Sequence, residues 1–338
     1  MKIYLAFDGG LAVLQERDGA WQPTLALPGE ACQCLAVDPH DEQRVYCGTF
    51  TSGLWRSDDA GATWTPVPRE LPHTHVMAVA VSPLETVGGH GVLWAGTEPS
   101  ALFRSEDGGA GWTGLPALQE LPSAPTWSFP PRPWTHHVRW IEPDATESAR
   151  IFAGIELGGV MRSVDRGATW EDRKPNSQYD CHTLRTHPAA PGVLYEAAGG
   201  GFAESRDGGR TWQRHDDGLH DRYLWGLAVD PADPDVLVVS ASPGPRSAHN
   251  DAYAEARLHR RVGDGPWQPL EQGLPPAKGT RAFVPATHPS APHTFYAATR
   301  RDLYRSTDGG VTWAQLPIAW PADVTFTTVN ALALADMA

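Results

Sequence analysis

Two adjacent histidines and an arginine, His136, His137 and Arg139, stand in the segment PWTHHVRW at residues 133–140. A histidine titrates near neutral pH and can act as an acid, a base or a metal ligand, and an arginine can bind a carboxylate or phosphate through two hydrogen bonds. Adjacent residues of a strand point to opposite sides, so His136 and His137 cannot both face one ligand. The chemistry open to them therefore depends on the elements that position them.

A repeat that runs through the chain supplies those elements. Its pattern is Ser-x-Asp-x-Gly-x-x-Trp, and two shortened copies end at Trp21 and Trp267. The complete copies are SDDAGATW (57–64), SEDGGAGW (105–112), SVDRGATW (163–170), SRDGGRTW (205–212) and STDGGVTW (306–313). The tryptophans of successive copies are 42 to 58 residues apart, a period typical of propeller blades.

Each repeat also predicts four short strands joined by turns rich in glycine and proline. An apolar segment ending in x-Pro comes first, as in LAVDP, and three further β segments follow. The N-terminus supplies the last three segments and the C-terminus a lone first one. We therefore predict an all-β, seven-bladed β-propeller of four-stranded antiparallel blades in a single domain, 1–338, with one blade shared between residues 1–28 and 322–336 to close the ring.

This pattern resembles the Asp-box, or BNR-repeat, family of β-propellers, which is related in pattern to photosystem II stability and assembly factors, xyloglucanases and sialidases. The resemblance implies that the box is a turn between the third and fourth strands, with its Asp and Ser binding backbone amides and its Trp packing into the blade. It also implies that the loops before strand one and between strands two and three surround the channel on the opposite face. We interpret the box aspartates as structural because they recur at a turn in five blades.

Departures from the repeat indicate where a ligand site would lie. Alignment of the first strands on their x-Pro ends places His137 in register with His182 of the next blade. The same alignment places Arg139 where most blades carry an aliphatic residue such as Leu184. Arg185 and Glu196 also occupy positions that are otherwise apolar or small, and we expect them to pair because a lone buried charge is costly.

Two insertions are predicted to overhang the same face. The segment 115–134 precedes blade three and is rich in proline, which favours a stiff loop. The segment 242–257 separates the second and third strands of blade five. Both would form a wall of a cleft at the channel mouth.

The predicted site binds an anionic or sugar-like small molecule or carbohydrate, and if the protein is an enzyme we expect a hydrolase of the glycosyl hydrolase type. The candidate catalytic residues are His137, His182, Glu156 and Asp180. The candidate ligand-binding residues are His136, Arg139, Glu98, Trp225, Arg246, His249 and Arg281. We predict no metal and no other cofactor, because the histidines lack a close ligand spacing such as His-Glu-x-x-His.

Composition restricts the partners further. The chain has 27 Lys and Arg against 40 Asp and Glu, a formal net charge of −13, which disfavours nucleic acid and anionic membranes. An aspartate at position 8 interrupts the N-terminal apolar segment, so we expect a cytoplasmic protein whose four cysteines are thiols. The alternative function is a non-catalytic scaffold that holds a protein partner on the rim of the disc, and it predicts an exposed apolar patch there.

Overall fold

The computed structural model describes residues 1–68, 71–322, 324 and 328–336, and β-strands dominate this part of the chain. The strands are β1 (Lys2–Phe7), β2 (Gly10–Arg17), β3 (Ala20–Ala26), β4 (Cys32–Asp38), β5 (Asp41–Thr49), β6 (Leu54–Ser57), β7 (Thr65–Pro66), β8 (His75–Val87), β9 (His90–Glu98), β10 (Leu102–Ser105), β11 (Thr113–Gly114), β12 (Val138–Pro143), β13 (Ile151–Ile155), β14 (Gly159–Ser163), β15 (Cys181–Thr186), β16 (Leu194–Ala198), β17 (Gly201–Ser205), β18 (Gln213–Arg214), β19 (Tyr223–Asp230), β20 (Asp233–Ser242), β21 (Arg257–Val262), β22 (Gln268–Pro269), β23 (Val284–Ala286), β24 (Phe295–Thr299), β25 (Asp302–Ser306), β26 (Ala314–Gln315) and β27 (Val329–Ala335). One short helix, α1 (Pro245–His249), and three 3-10 turns, Pro116–Glu120, Ala124–Thr126 and Asp251–Tyr253, complete the described elements. None of the described helices is long and apolar enough to cross a membrane.

The strands form seven antiparallel sheets, which are the blades of a propeller. Blades one to six are β4–β7, β8–β11, β12–β14, β15–β18, β19–β22 and β23–β26, and blade seven is β27 with β1–β3. The innermost strands contact one another in the order β4, β8, β12, β15, β19, β23 and β27, and β27 contacts β4 again. The predicted seven-bladed propeller is confirmed.

Blade seven joins the two ends of the chain, as predicted. Strand β27 pairs antiparallel with β1, with Lys2 opposite Ala335 and Leu5 opposite Leu332. Residues 323 and 325–327 of the predicted closing segment lie outside the described residues. Pairing of the termini thus covers the inner edge of β1 and closes the ring.

Blade three departs from its siblings at its outer edge. Its sheet has three strands, and the fourth position is occupied by a single antiparallel bridge between Arg162 and Glu171. Arg162 is buried and also donates to the Gly208 carbonyl in the turn of blade four. Arg162 thus connects the shortened outer edge of blade three to blade four through a hydrogen bond.

The serine and aspartate of each complete repeat make the same hydrogen bonds in all five turns. In blade one the Ser57 hydroxyl donates to Asp59 Oδ1 at 2.7 Å and accepts the Gly61 amide at 2.8 Å, and Asp59 Oδ1 accepts the Thr63 amide at 2.8 Å. Hydrogen bonds from Thr63 help to lower the pKa of Asp59 to about 2. The repeated residues therefore hold the turns between the third and fourth strands.

Apolar side chains fill the wedges between blades and leave a cavity on the ring axis. Trp94, Ile141 and Ile151, for example, pack together between blades two and three. The axial cavity has a volume of about 370 Å³ and is lined by residues from the inner strands of all seven blades. The propeller thus provides one central channel into which inner-strand side chains project.

Candidate functional site

Near the channel mouth, six inner strands of the described chain contain a bulge in their pairing with the second strand of the blade. The first residue in each bulge is Gln33, Met77, Arg139, His182 and Trp225 in blades one to five and Asn330 in blade seven. Arg139 is therefore the structural equivalent of His182, and the predicted register between His137 and His182 is wrong. The reason is strand length: Pro143 comes four positions after Arg139, whereas Pro188 comes six positions after His182.

The two-residue shift in register also means that the Arg139 charge does not lie in the core, where the alignment of repeats placed it. Counting two residues inward from the bulge gives Ile141 in blade three and Leu184 in blade four. Both side chains are buried, with Ile141 4% exposed. Arg139 thus displaces no core leucine, and its guanidinium instead occupies the channel mouth.

The residue two positions before the bulge also points toward the mouth, because side chains alternate along a strand. In blades two to five this residue is His75, His137, Asp180 and Tyr223. His137 and Asp180 are consequently equivalent, while Arg139 and His182 form the next layer of the channel. The predicted catalytic residues come together in two layers of neighbouring blades.

Glu156 is the centre of this cluster. It follows β13, and its Oε2 lies 3.0 Å from His137 Nε2 and 3.8 Å from Arg139 Nε. Burial alone would raise the pKa of Glu156, but the His137 hydrogen bond and the charges of His182 and Arg139 hold it at about 2. Glu156 is therefore an ionised acceptor at neutral pH.

Glu98 lies on the side of the His137 ring opposite Glu156. Its Oε2 lies 3.5 Å from His137 Nδ1. Arg132 donates two hydrogen bonds to the same carboxylate, from Nε at 2.7 Å and from Nη2 at 2.6 Å. The Arg132 guanidinium carbon also lies 4.8 Å from the Phe50 ring centroid and 4.6 Å from that of Phe129. Sequence reasoning missed Arg132, although its position among prolines in the insertion before blade three was an available signal.

His182 is fully buried beside Asp180. Its Nδ1 lies 2.6 Å from the carbonyl oxygen of Leu224, and its Nε2 lies 3.5 Å from Asp180 Oδ1. Burial lowers the pKa of His182, but the nearby Asp180 and Glu156 carboxylates raise it above its ordinary value. Ligand atoms of Glu156, Asp180 and His182 all lie within 4.8 Å of one another, so these residues could hold a metal ion.

Aromatic rings line the blade-five side of the mouth. The Arg139 guanidinium carbon lies 4.4 Å from the Trp225 ring centroid, and both residues line the axial cavity. The Tyr223 hydroxyl lies 3.1 Å from His249 Nε2, and the His249 ring packs edge-on against Trp225 at 4.3 Å. Burial and the nearby His182 charge lower the pKa of His249 to about 4, so this histidine is neutral at pH 7.

Three predicted ligand-binding residues lie outside this cluster. His136 points away from His137 and packs edge-on against Trp127 at 5.5 Å. Arg281 Nε lies 2.6 Å from Asp251 Oδ1, and the Arg246 guanidinium carbon lies 4.2 Å from the Tyr253 ring centroid. These two arginines belong to the blade-five insertion and its surroundings.

Both insertions contain short helical turns instead of continuous loops. The blade-five insertion forms α1 and the turn Asp251–Tyr253. The segment before blade three forms two 3-10 turns, and its Leu118, Leu121 and Trp127 are buried against blades two and three. Up to Trp127 this proline-rich segment is thus held against the core by its apolar side chains.

The predicted pair between Arg185 and Glu196 does not form. Leu184 lies opposite Glu196 in the ladder, so Arg185 points to the other face of the sheet. Arg185 Nη1 lies 3.8 Å from Glu142 Oε2 in the channel. Glu196 is fully buried and accepts the Gln178 amide at 2.9 Å, and burial raises its pKa to about 8.

Comparison with known proteins gives relatives with the same architecture. No protein-family model matches the chain. The xyloglucanase Xgh74A of Acetivibrio thermocellus is 27% identical over 225 residues, a match that covers 51% of this chain and 24% of the relative. The chain thus spans about a quarter of the length of the curated relatives it matches.

Solved structures share the propeller fold at low identity. A GH74 enzyme of Niastella koreensis superposes with a TM-score of 0.70 at 17% identity, covering 93% of this chain and 52% of that one. An ancestral GH74 enzyme gives a TM-score of 0.66 at 17% identity, covering 96% and 40%. YCF48 bound to a D1 peptide gives a TM-score of 0.56 at 19% identity, covering 85% and 82%.

Proposed function

We propose that the channel mouth binds a neutral carbohydrate and that the protein is a glycan-binding propeller. The arrangement of Arg139, Glu156 and Trp225 at one end of the axial cavity carries this proposal. It offers guanidinium donors, an ionised acceptor and an aromatic surface within one site. The cavity volume of about 370 Å³ is in the range of small-ligand sites.

The charges of the mouth support a neutral ligand better than an anionic one. Arg132 is paired with Glu98, and Arg139 lies beside Glu156. Arg281, which could otherwise bind an anion, contacts the Asp251 carboxylate and the Thr328 hydroxyl. A polyhydroxyl ligand can exchange hydrogen bonds with such pairs without leaving a charge unpaired.

The carboxyl groups favour binding over cleavage of a glycosidic bond. A glycosidase needs one carboxyl group with a raised pKa as the acid and a second, ionised one as the nucleophile or base. Glu156 has a lowered pKa, and Glu98 is held by two hydrogen bonds from Arg132. Burial raises the pKa of both Glu196 and Glu142, but Glu196 is fully buried, and Glu142 in the axial cavity already accepts hydrogen bonds from the Thr186 amide and the Trp140 indole.

The comparisons support a glucan as the first ligand to test, because the curated relatives are xyloglucanases. A second aromatic surface is available in the insertion before blade three, where Trp134 is 80% exposed. Exposed aromatic rings commonly stack on sugars because one face of a sugar ring presents C–H groups and is apolar. We propose that Trp134 extends the binding surface beyond the channel mouth.

A protein-binding rim receives less support. The large exposed aliphatic side chains are spread over five blades instead of forming one group. They are Leu25 in blade seven, Leu84 and Val87 in blade two, Val164 in blade three, Val262 in blade five and Val311 in blade six. Among the residues that the structure describes, this distribution does not provide the single apolar patch that a rim docking site requires.

Titration calorimetry with xyloglucan oligosaccharides and a panel of other neutral glycans tests the proposal. The wild type should bind one of them, and Trp225→Ala and Trp134→Ala should each weaken binding by up to about tenfold because a stacking surface is lost. Val311→Ala, in the box turn of blade six, is the matched control and should bind as the wild type does. Absence of binding to every glycan, or release of new reducing ends by the wild type, would overturn this assignment.

A further inference from the structure

The buried nitrogen of His182 raises a separate question about the mouth. His182 is 0% exposed, and its Nε2 makes no hydrogen bond within the described part of the chain. Its Nδ1 lies 2.6 Å from the Leu224 carbonyl oxygen, an acceptor, so Nδ1 carries the proton and donates it there. In the neutral ring the lone pair of Nε2 then points toward Asp180.

Two carboxylates surround this lone pair. Asp180 Oδ1 lies 3.5 Å from Nε2, and the ligand atoms of Glu156, Asp180 and His182 lie within 4.8 Å of one another. A nitrogen lone pair and carboxylate oxygens repel unless a cation lies between them. A proton on Nε2 is one such cation, and a divalent metal ion is the other.

The surroundings match the second layer of a metal site. A metal-ligating histidine usually donates its other N–H to a backbone carbonyl or a carboxylate, as His182 does to Leu224. Ligating carboxylates are themselves hydrogen-bonded, and Glu156 Oε2 lies 3.0 Å from His137 Nε2. His182 and Glu156 are therefore already oriented by neighbours that do not need the ion.

The backbone also makes room for Asp180. A Cβ atom on Gly199 would lie 2.0 Å from Asp180 Oδ2, so the carboxylate occupies space that any other residue would fill. Asp180 and Glu156 are 23% and 12% exposed, which leaves one side of the group open toward the mouth. An ion here would keep open coordination positions for water or a ligand oxygen.

We propose that Glu156, Asp180 and His182 bind a divalent ion of borderline softness, with Zn²⁺ as the best match. One imidazole nitrogen and two carboxylate oxygens suit Zn²⁺ better than Ca²⁺ or Mg²⁺, which prefer oxygen ligands alone. The open side of the ion would face the channel mouth. The inference does not depend on which ligand the mouth binds.

Calorimetric titration of chelator-treated protein with ZnCl₂, without any saccharide, tests the site. The wild type should bind one Zn²⁺ per chain at this site, and Asp180→Asn and Glu156→Gln should each lower the affinity by about tenfold or more. Asp251→Asn, which makes the same change in the blade-five insertion, should bind Zn²⁺ as the wild type does. Equal affinity in all four proteins would mean adventitious binding by surface histidines and would overturn the proposal.

A spectroscopic measurement on the wild type avoids dependence on the folding of variants. Co²⁺ should give a visible absorption band typical of a site with nitrogen and oxygen ligands and fewer than six ligands, and one equivalent of Zn²⁺ should remove it. Absence of that band, or tighter binding of Ca²⁺ than of Zn²⁺, would also overturn the assignment. Because no saccharide is present, failure here leaves the glycan measurements unaffected.

Discussion

Arg139 and His182 occupy equivalent bulge positions on the neighbouring inner strands of blades three and four, and both charges act on Glu156. A bulge residue is not paired in the ladder, so its side chain can be turned without loss of sheet hydrogen bonds. Blades one and two carry Gln33 and Met77 at this position. The mouth thus differs from blade to blade, while the sheet beneath it stays the same.

Replacement of Arg139 by methionine tests this equivalence. Because blade two already carries Met77 there, the fold should be retained, while Glu156 loses a cation that lies 3.8 Å away. We expect a decrease of about 1–3 kcal/mol in the free energy of unfolding and a loss of saccharide binding. Urea denaturation and calorimetry measure both. Met77→Leu is the control, and a variant Arg139→Met that aggregates instead of folding would contradict the proposed equivalence.

Glu196 should make the protein less stable at alkaline pH. Its pKa is raised to about 8 from an ordinary value of 4.5, so its contribution to stability is full below pH 4.5 and is lost as the pH rises through 8. Glu196→Gln should therefore be more stable than the wild type at pH 8, by on the order of 4 kcal/mol, with the difference falling below about 1 kcal/mol near pH 5.

Urea denaturation at the two pH values measures this difference. Glu204 is the contrasting control, because Arg261 lowers its pKa against the effect of burial. Glu204→Gln should accordingly destabilise the protein at pH 8. A Glu196→Gln effect that is the same at pH 5 and pH 8 would show that ionisation of Glu196 is not the cause.

Gly199 should be required for the position of Asp180. Alanine at this position would place its Cβ 2.0 Å from Asp180 Oδ2, so the carboxylate must move. We expect Gly199→Ala to lower the affinity for Zn²⁺ and to cost about 1–3 kcal/mol of stability, as other overpacking substitutions do. Gly244→Ala is the control, since nothing lies within 4 Å of its added Cβ. Unchanged Zn²⁺ affinity in Gly199→Ala would contradict the arrangement.

The turn aspartates should set the acid limit of stability. Hydrogen bonds within the turns help to lower the pKa of Asp59, Asp207 and Asp308 to about 2, so their contribution is present above pH 3.8 and is lost as the pH falls through 2. The triple variant Asp59→Asn, Asp207→Asn, Asp308→Asn should show a weaker dependence of stability on pH in that window. Circular dichroism during acid titration measures it, with Asp264→Asn as an exposed control. Parallel titration curves for the triple variant and the wild type would count against this role.

The propeller could be predicted because its signals are local. The serine, aspartate, glycine and tryptophan of each turn lie within eight residues, and the strands between turns are short and apolar. Closure of blade seven could be predicted because the N-terminus supplies only three strand segments and the C-terminus supplies the missing first one. Neither inference required knowledge of contacts between distant residues.

The site could be predicted only in outline. Alignment on Pro143 misplaced the first strand of blade three by two residues, because sequence spacing does not reveal where a strand bulges. The error was an even number of residues, so His137 and Arg139 still faced the mouth. Arg132 was missed because its contact with Glu98 depends on the path of the insertion through space.

The bulges have a consequence for how such a protein acquires a new specificity. In six blades one side chain at the mouth projects from a residue outside the ladder. Substitutions there leave the hydrogen bonds between strands in place, and side chains in contact, such as Arg139 and Trp225, should show coupled effects. A combinatorial library randomised at these six positions would therefore sample many ligand preferences on one unchanged scaffold.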